Sequence, residues 1–163
     1  MTKHQILDIF VETIVRMNKP KYLYKTEDKF TIYEFVSEGP KGRIRKMVEY
    51  TETATQNVYN LGFGDYDETT NAINDLSVTN NGDSLKVLAT VASTVYAFIE
   101  KHPKAYILAT GSTNVRTRLY RMGITNNLAE ITEDFVVYGF TDKGNWEEFE
   151  IGEDYEAFLI TKK

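Results

Sequence analysis

The sequence predicts one α+β domain with a mostly antiparallel twisted sheet, one long central helix, one short helix and an N-terminal amphipathic helix. Three observations support this class. The length of 163 residues suits a single hydrophobic core. The element order is a helix, three antiparallel strands, a long helix, a strand, a short helix and closing strands. The chain shows no repeat, linker or low-complexity segment.

The N-terminal element is an amphipathic helix by its apolar spacing. Residues 5–17 place apolar side chains near helical intervals, and Pro20 follows the pattern. The stretch that carries the domain's other features begins at about Met17. We therefore expect residues 1–16 to be a helical extension and residues 17–163 to be the single α+β domain.

A β-hairpin and a third strand follow. The run "FTIYEFVSEGPKGRIRKMVEY", residues 30–50, joins two β-rich segments through a Gly-Pro-Lys-Gly turn. In the second segment the alternation places Arg43 and Arg45 on the face opposite Ile44. In the third strand, "NVYNLGFGDYD", Gly62 and Gly64 lie on one face and leave it bare, which is typical of a close approach by a helix or a ligand.

The second half of the chain begins with the longest helix. Asp83 or Ser84 is its expected N-cap, and Pro103 ends it after about eighteen residues. Most of its circumference is apolar, which predicts a central, buried position. We then expect a strand over residues 104–111, a short helix over 113–123, and two or three closing strands with a turn at residues 142–145.

The amino-acid composition limits the kinds of site that the chain can form. The chain has no cysteine and two histidines, so thiolate metal sites, disulfides and cysteine nucleophiles are excluded. The run "DYDETTNAINDL" starts with calcium-loop spacing, but Thr70 and Leu76 replace the glycine and glutamate that such a loop needs. No apolar run reaches membrane-helix length, and Asp8 and Glu12 interrupt the apolar part of the N-terminus. We expect a cytoplasmic protein without a metal site and without membrane insertion.

Charge is unevenly distributed along the chain. The formal net charge of −5 disfavours nucleic acid as a general partner. Residues 123–163 hold ten acids against three lysines, a local net of −7. The basic residues cluster elsewhere, in two groups: Lys41, Arg43, Arg45 and Lys46, and then Arg116, Arg118 and Arg121.

The stretch "YILATGSTNVRTRLYRMGI", residues 106–124, is the candidate ligand site. A strand that turns through Gly111, Ser112 and Thr113 into a helix leaves backbone N–H groups that favour an anion. Arg116 and Arg118 in the first turns of that helix are better accommodated when an anion is present. The alternative is that Ser112 or Thr113 only caps the helix and that the arginines pair with the acidic C-terminal third.

The hairpin offers a possible extension of this site. Arg43 and Arg45 on one strand face would form a good phosphate clamp. The alternative is that they are exposed arginines of an edge strand, which protect the sheet against aggregation.

Two resemblances accompany these patterns. The segments "YEFVSEGPKGRI", "NVYNLGFGDYDE", "NNGDSLKVLATV", "YILATGSTNVRTRLYRMGI" and "DFVVYGF" resemble a bacterial family of unknown function, over nearly all of residues 17–161. That resemblance implies membership of the family, and it does not point to any particular activity.

The second resemblance is in element order. The order is similar to that of GCN5-related N-acetyltransferases, in which the pyrophosphate of acetyl-CoA binds at the N-terminus of the long helix. Asn114, the Leu119–Tyr120 pair and Gly123 are similar to that family's short helix, which implies that Tyr120 is the general acid. The family's R/Q-x-x-G-x-G/A loop is absent, and "TNNGDS" offers only Gly82.

Three hypotheses follow, and they leave open whether the protein is an enzyme. The first is a protein that binds a phosphate-bearing or other anionic ligand through Gly111–Thr113, Arg116 and Arg118, with Arg43 and Arg45 in support. The second is acyl transfer from acetyl-CoA, with the pyrophosphate at residues 82–84 and Tyr120 as the only catalytic candidate. The third is a protein-interaction component of a toxin–antitoxin or defence pair, in which the acidic C-terminal strands contact a basic partner.

Overall fold

A nine-stranded sheet organises the part of the chain that the computed structural model describes, residues 19–74, 78–111 and 113–163. The predicted helix over residues 5–17 lies outside these ranges. The strands are β1 (Lys25–Thr26), β2 (Ile32–Gly39), β3 (Gly42–Glu52), β4 (Val58–Asp67), β5 (Ala72–Ile73), β6 (Tyr106–Ala109), β7 (Phe135–Phe140), β8 (Trp146–Glu148) and β9 (Ala157–Lys162); the helices are α1 (Ser84–Lys101) and α2 (Asn114–Asp134).

The sheet is mostly antiparallel, as predicted, and belongs to one α+β domain. The strand order is β1-β2-β3-β4-β6-β9-β7-β8, with the short β5 paired to β4. Within the described residues, β4 and β6 form the parallel pair. The chain reaches β6 from β4 through α1, which is the crossover that a parallel neighbour requires.

The predicted hairpin and its turn are confirmed. Gly39 pairs with Gly42 across the Pro40–Lys41 turn, and Gly42 has a φ of +91°, which a residue with a side chain rarely adopts. The register places Tyr33, Val48 and Phe63 side by side on one face, and all three are buried. This is the face of the sheet that carries the core.

Helix α1 supplies the other layer of the core. It has the predicted length of eighteen residues, and thirteen consecutive residues from Val87 to Ile99 are buried. The Phe98 ring stacks on Tyr50 with centroids 4.2 Å apart. The prediction that nearly the whole circumference of this helix is buried is confirmed. The reason is that α1 packs against both the sheet and α2.

The prediction of a short helix over residues 113–123 was wrong in its length. Helix α2 has 21 residues and continues to Asp134. Gly123 resembled a helix end, but it lies where α2 crosses α1, and a Cβ there would be 3.3 Å from Leu88 Cδ2. The side chain of Asn127, one turn later, is buried and donates to the Gly123 carbonyl at 2.7 Å, so this polar residue belongs to the packed face of α2 and does not mark a helix end.

Candidate functional site

The parallel strands β4 and β6 separate at their carboxyl ends. Their pairing covers three residues on each strand, from Val58 opposite Tyr106 to Asn60 opposite Leu108. Strand β4 then continues to Asp67, whereas β6 ends at Ala109 and the chain turns into α2. Such a separation at the carboxyl ends of parallel strands is a common position for ligand sites in open sheets.

A pocket of about 410 Å³ occupies this gap. Its volume lies in the range of roughly 300–1,000 Å³ that small-molecule sites have. We name it the strand cleft, and define it by its lining residues Glu49, Thr51, Asn60, Leu61, Gly62, Ala72, Ile73, Thr110, Gly111, Arg116 and Tyr120.

A second pocket, of about 460 Å³, lies between the loop that precedes α1 and the start of α2. Arg116 lines both this pocket and the strand cleft. We name it the loop pocket, and define it by Lys41, Val78, Thr79, Asn80, Thr113, Val115 and Arg116.

Arg116 is held in place from two directions. Its backbone N–H donates to Thr113 Oγ1 at 3.2 Å, so Thr113 is the N-cap of α2, while Ser112 lies outside the described residues. Its Nη2 donates to the carbonyl oxygen of Asn74 in the loop after β5. With 7% of its surface exposed, Arg116 is unusually buried for a charged residue.

Glycines make room for this arrangement. A Cβ on Gly64 would lie 2.7 Å from Ile73 Cγ2 and 2.8 Å from Arg116 Nη2. A Cβ on Gly111 would lie 2.5 Å from Thr117 Oγ1. The prediction of a close approach is confirmed at Gly64, against which both Ile73 and Arg116 lie, but not at Gly62, where a Cβ would be at an ordinary contact distance of 3.4 Å from Ile73 Cδ1.

Tyr120 forms the floor of the strand cleft. It is buried, and its hydroxyl lies 3.5 Å from the Leu61 carbonyl oxygen of β4. Burial raises the pKa of Tyr120 to about 12, although the positive charge of Arg116 partly opposes the shift. The hydroxyl is therefore protonated at neutral pH and can donate a hydrogen bond or a proton.

Buried polar contacts fix the wall of the loop pocket. Lys46 is 1% exposed, and its Nζ donates to Asp65 Oδ1 at 2.5 Å and to the Thr79 carbonyl at 2.8 Å. Burial raises the pKa of Asp65, but hydrogen bonds from Lys46 and Thr79 outweigh it and lower that pKa below its ordinary value. Nearby, Asn81 Oδ1 accepts from the Lys41 N–H at 2.7 Å and holds the hairpin turn against the loop.

The structure brings together part of the predicted site. Gly111 and Thr113 lie with Arg116 around the two pockets, in the strand cleft and the loop pocket respectively. Arg118 faces a separate pocket of about 260 Å³, which it shares with Arg121. There Arg121 pairs with Asp154, which is the contact with the acidic C-terminal region that the alternative interpretation expected.

The two hairpin arginines lie elsewhere. Arg43 pairs with Glu38 at 3.3 Å, and Arg45 pairs with Glu34 at 3.6 Å while its guanidinium lies 4.0 Å from the ring centre of Tyr66. Both line a groove of about 630 Å³ beside β1 and β2, and neither lines the strand cleft or the loop pocket.

Two charged residues of these pockets were not among the predicted site residues. Lys41 belongs to the hairpin turn, and Glu49 lies on the face of β3 that carries Met47. The sequence placed Lys41 in a basic cluster but gave no sign that its turn meets the loop before α1. That meeting depends on a contact between residues forty positions apart, Lys41 and Asn81.

The start of α1 is occupied by protein groups. The Asp83 carboxylate accepts hydrogen bonds from Tyr22 Oη at 2.5 Å and from Ser37 Oγ at 2.6 Å. Asn80 Oδ1 accepts from the Gly82 N–H at 2.9 Å. An anion at this helix start would therefore meet a carboxylate.

A membrane-spanning helix and a metal-binding cluster are both absent from residues 19–74, 78–111 and 113–163. Neither α1 nor α2 combines the length and the apolar character that crossing a membrane would need. Within the same ranges, no group of histidine, aspartate and glutamate side chains is arranged to hold a metal ion.

The comparisons with known proteins give one match. No curated protein and no solved structure matches the chain. The model of a family described as "Family of unknown function (DUF6934)" matches residues 18–163, which includes every strand and helix described above. The chain therefore belongs to this family of unknown function.

Proposed function

We propose that the protein binds a phosphate-bearing or other anionic small molecule at the start of α2. The observation that carries the proposal is the position of Arg116, a buried guanidinium that lines both the strand cleft and the loop pocket. Gly111 and Thr113 lie beside it, and Lys41 adds a second cation in the loop pocket.

The electrostatics of α2 support this proposal. The first turn of α2 contains no acidic residue, although an acid there would be favourable by about 0.3–1 kcal/mol. Arg116 instead places a positive charge at the positive end of the helix dipole. None of the described residues that line the loop pocket is acidic. An anion bound in the loop pocket would interact favourably with the positive end of the helix dipole and with Lys41.

We expect inorganic phosphate or ethyl phosphate to stabilise the full chain against thermal unfolding. A ligand at 100 times its dissociation constant contributes about 2.7 kcal/mol, which corresponds to roughly 5–10 °C for a protein of this size. Lys41→Met should weaken binding by about tenfold, because it removes one charged contact. Arg116→Lys should weaken it too, since lysine lacks the planar fork.

Controls separate this site from the other arginines. Arg43→Met removes an exposed charge that lines a different groove, and Arg118→Ala removes one from the neighbouring pocket. Binding that survives Lys41→Met and Arg116→Lys unchanged would contradict the proposal. Loss of binding in Arg118→Ala alone would place the anion beside Arg121 and contradict it equally.

A second candidate function is acyl transfer from acetyl-CoA to an amine. The separation of the parallel strands β4 and β6, with protonated Tyr120 at the floor of the gap, favours it. In the reaction the amine nitrogen would form the amide bond, the thioester C–S bond would break, and Tyr120 would protonate the departing thiolate. The proton that the amine nitrogen releases to solvent would restore the Tyr120 hydroxyl. The carboxylate of Asp83 weighs against a pyrophosphate at residues 82–84.

Tyr120→Phe tests the enzyme candidate. The variant keeps the ring and loses only the proton donor, so acetyl-CoA binding should persist while release of free thiol falls by about 10²-fold or more. The rate is measured by thiol release with a panel of primary amines. No acetyl-CoA binding at millimolar concentration, or an unchanged rate in the variant, would contradict this candidate.

A further inference from the structure

The strand cleft carries charges of both signs. Arg116 lies on one side, at the start of α2, and Glu49 lies on the other, on β3. Glu49 is half-buried and stands directly opposite Gly62 in the β3–β4 register. Gly62 has no side chain, and a Cβ there would lie 3.4 Å from Ile73 Cδ1, so Glu49 and Ile73 both line the cleft beside this glycine.

Glu49 has no ion pair and no side-chain hydrogen bond within the described residues. The cations nearest to it in sequence are engaged elsewhere: Arg45 pairs with Glu34 and Glu68, and Lys46 is buried against Asp65. No ion pair joins Glu49 to Arg116, although the two line the same cleft. The other polar groups around the cleft, on Thr51, Asn60 and Tyr120, are uncharged.

A ligand anchored at Arg116 and extending into the cleft therefore reaches a carboxylate that forms no ion pair with a cation in the part of the chain that the structure describes. A second anionic group on the ligand would be repelled there, whereas a cationic group would form a charge-assisted hydrogen bond. The cleft volume of about 410 Å³ accommodates a small molecule that carries both groups.

We propose that the strand cleft selects a small molecule that carries a primary ammonium group in addition to its anionic group, with Glu49 accepting hydrogen bonds from the ammonium. This inference rests on the proposed anion binding at Arg116 and names the ligand class of that same site. Glu49 is the specificity residue, and Arg116 is the anchor.

Matched ligand pairs test the inference. The probes are ethyl, propyl and butyl phosphate, each compared with the phosphate of the same chain length that ends in an ammonium group. Calorimetric titration of the full chain should show that, for at least one length, the ammonium member binds about tenfold more tightly. Glu49→Gln should remove that difference, while the alkyl phosphates should bind at least as tightly as to the wild type, because a carboxylate that repels anions is lost.

Glu52→Gln is the control, because it removes the same charge from an exposed position at the end of the same strand. It should behave as the wild type does. Equal affinity within every pair, or a Glu49→Gln variant that keeps the preference, would overturn the inference while anion binding stands. Failure of all six phosphates to bind would overturn the proposed function itself, and the inference with it.

Discussion

Lys46→Met is expected to destabilise the protein by about 3–5 kcal/mol, which is the usual effect of removing one partner from a buried ion pair. The substitution keeps the aliphatic bulk but leaves the Asp65 carboxylate without its cation and the Thr79 carbonyl without its donor. Urea unfolding at pH 7 measures the change. Lys104→Met, an exposed lysine after α1, is the matched control and should change stability by less than about 0.5 kcal/mol.

The pH dependence identifies the cause of this loss. In the wild type the pKa of Asp65 is lowered from 3.8, so its contribution is complete above that pH and is lost as the pH falls through the lowered pKa. Without Lys46, burial still raises the pKa of Asp65, while the lowering effect of that lysine is lost and only the hydrogen bonds from Thr79 oppose the rise, so the charged carboxylate should be less favourable at pH 7. The deficit of the variant should therefore shrink as the pH falls towards 3.8. A deficit below 1 kcal/mol at pH 7, or one that is constant with pH, would contradict this account.

Gly39→Ala is expected to cost roughly 3 kcal/mol through overpacking. The added Cβ would lie 2.9 Å from Asn81 Cγ and still closer to the Asn81 backbone oxygen. Asn81 is 1% exposed, and its side chain donates to the Gly42 carbonyl and accepts from the Lys41 N–H. Its displacement would break both hydrogen bonds and would also move Lys41, so anion affinity should fall together with stability.

Gly62→Ala is the control for this substitution. Its Cβ meets no atom closer than 3.4 Å, and the strand position accepts a side chain. Thermal and urea unfolding of the two variants are compared directly. If Gly39→Ala is as stable as Gly62→Ala, then Asn81 does not hold the hairpin turn in the way described.

The fold was predictable where local pattern and tertiary packing agree. Alternation and turn residues predicted the β2–β3 hairpin, and continuous apolar faces with Pro103 at the end predicted α1. The length of α2 was not predictable, because a glycine followed by polar residues is typical of a helix end. In the structure Gly123 serves close packing on Leu88, and that requirement comes from another helix.

The candidate site was predictable only where its residues are neighbours in sequence. The strand–turn–helix pattern identified Gly111, Thr113 and Arg116, which are neighbours in sequence. It also grouped Arg118 with Arg116, although a separation of two positions in a helix corresponds to a rotation of about 200°, which directs the two side chains into different pockets. The roles of Lys41 and Glu49 depend on strand register and on a loop contact distant in sequence, which no local pattern encodes.

If Arg116 and Lys41 form one anion site, an NMR titration with a phosphate should detect both residues at once. Amide resonances of the full chain are followed while ethyl phosphate is added. We expect saturable changes in amide chemical shift that are largest at Thr113–Arg116 and at Lys41. The changes at Arg43–Arg45 should be smaller. Shifts centred on Arg121 and Asp154, or no saturable shift at the start of α2, would contradict it.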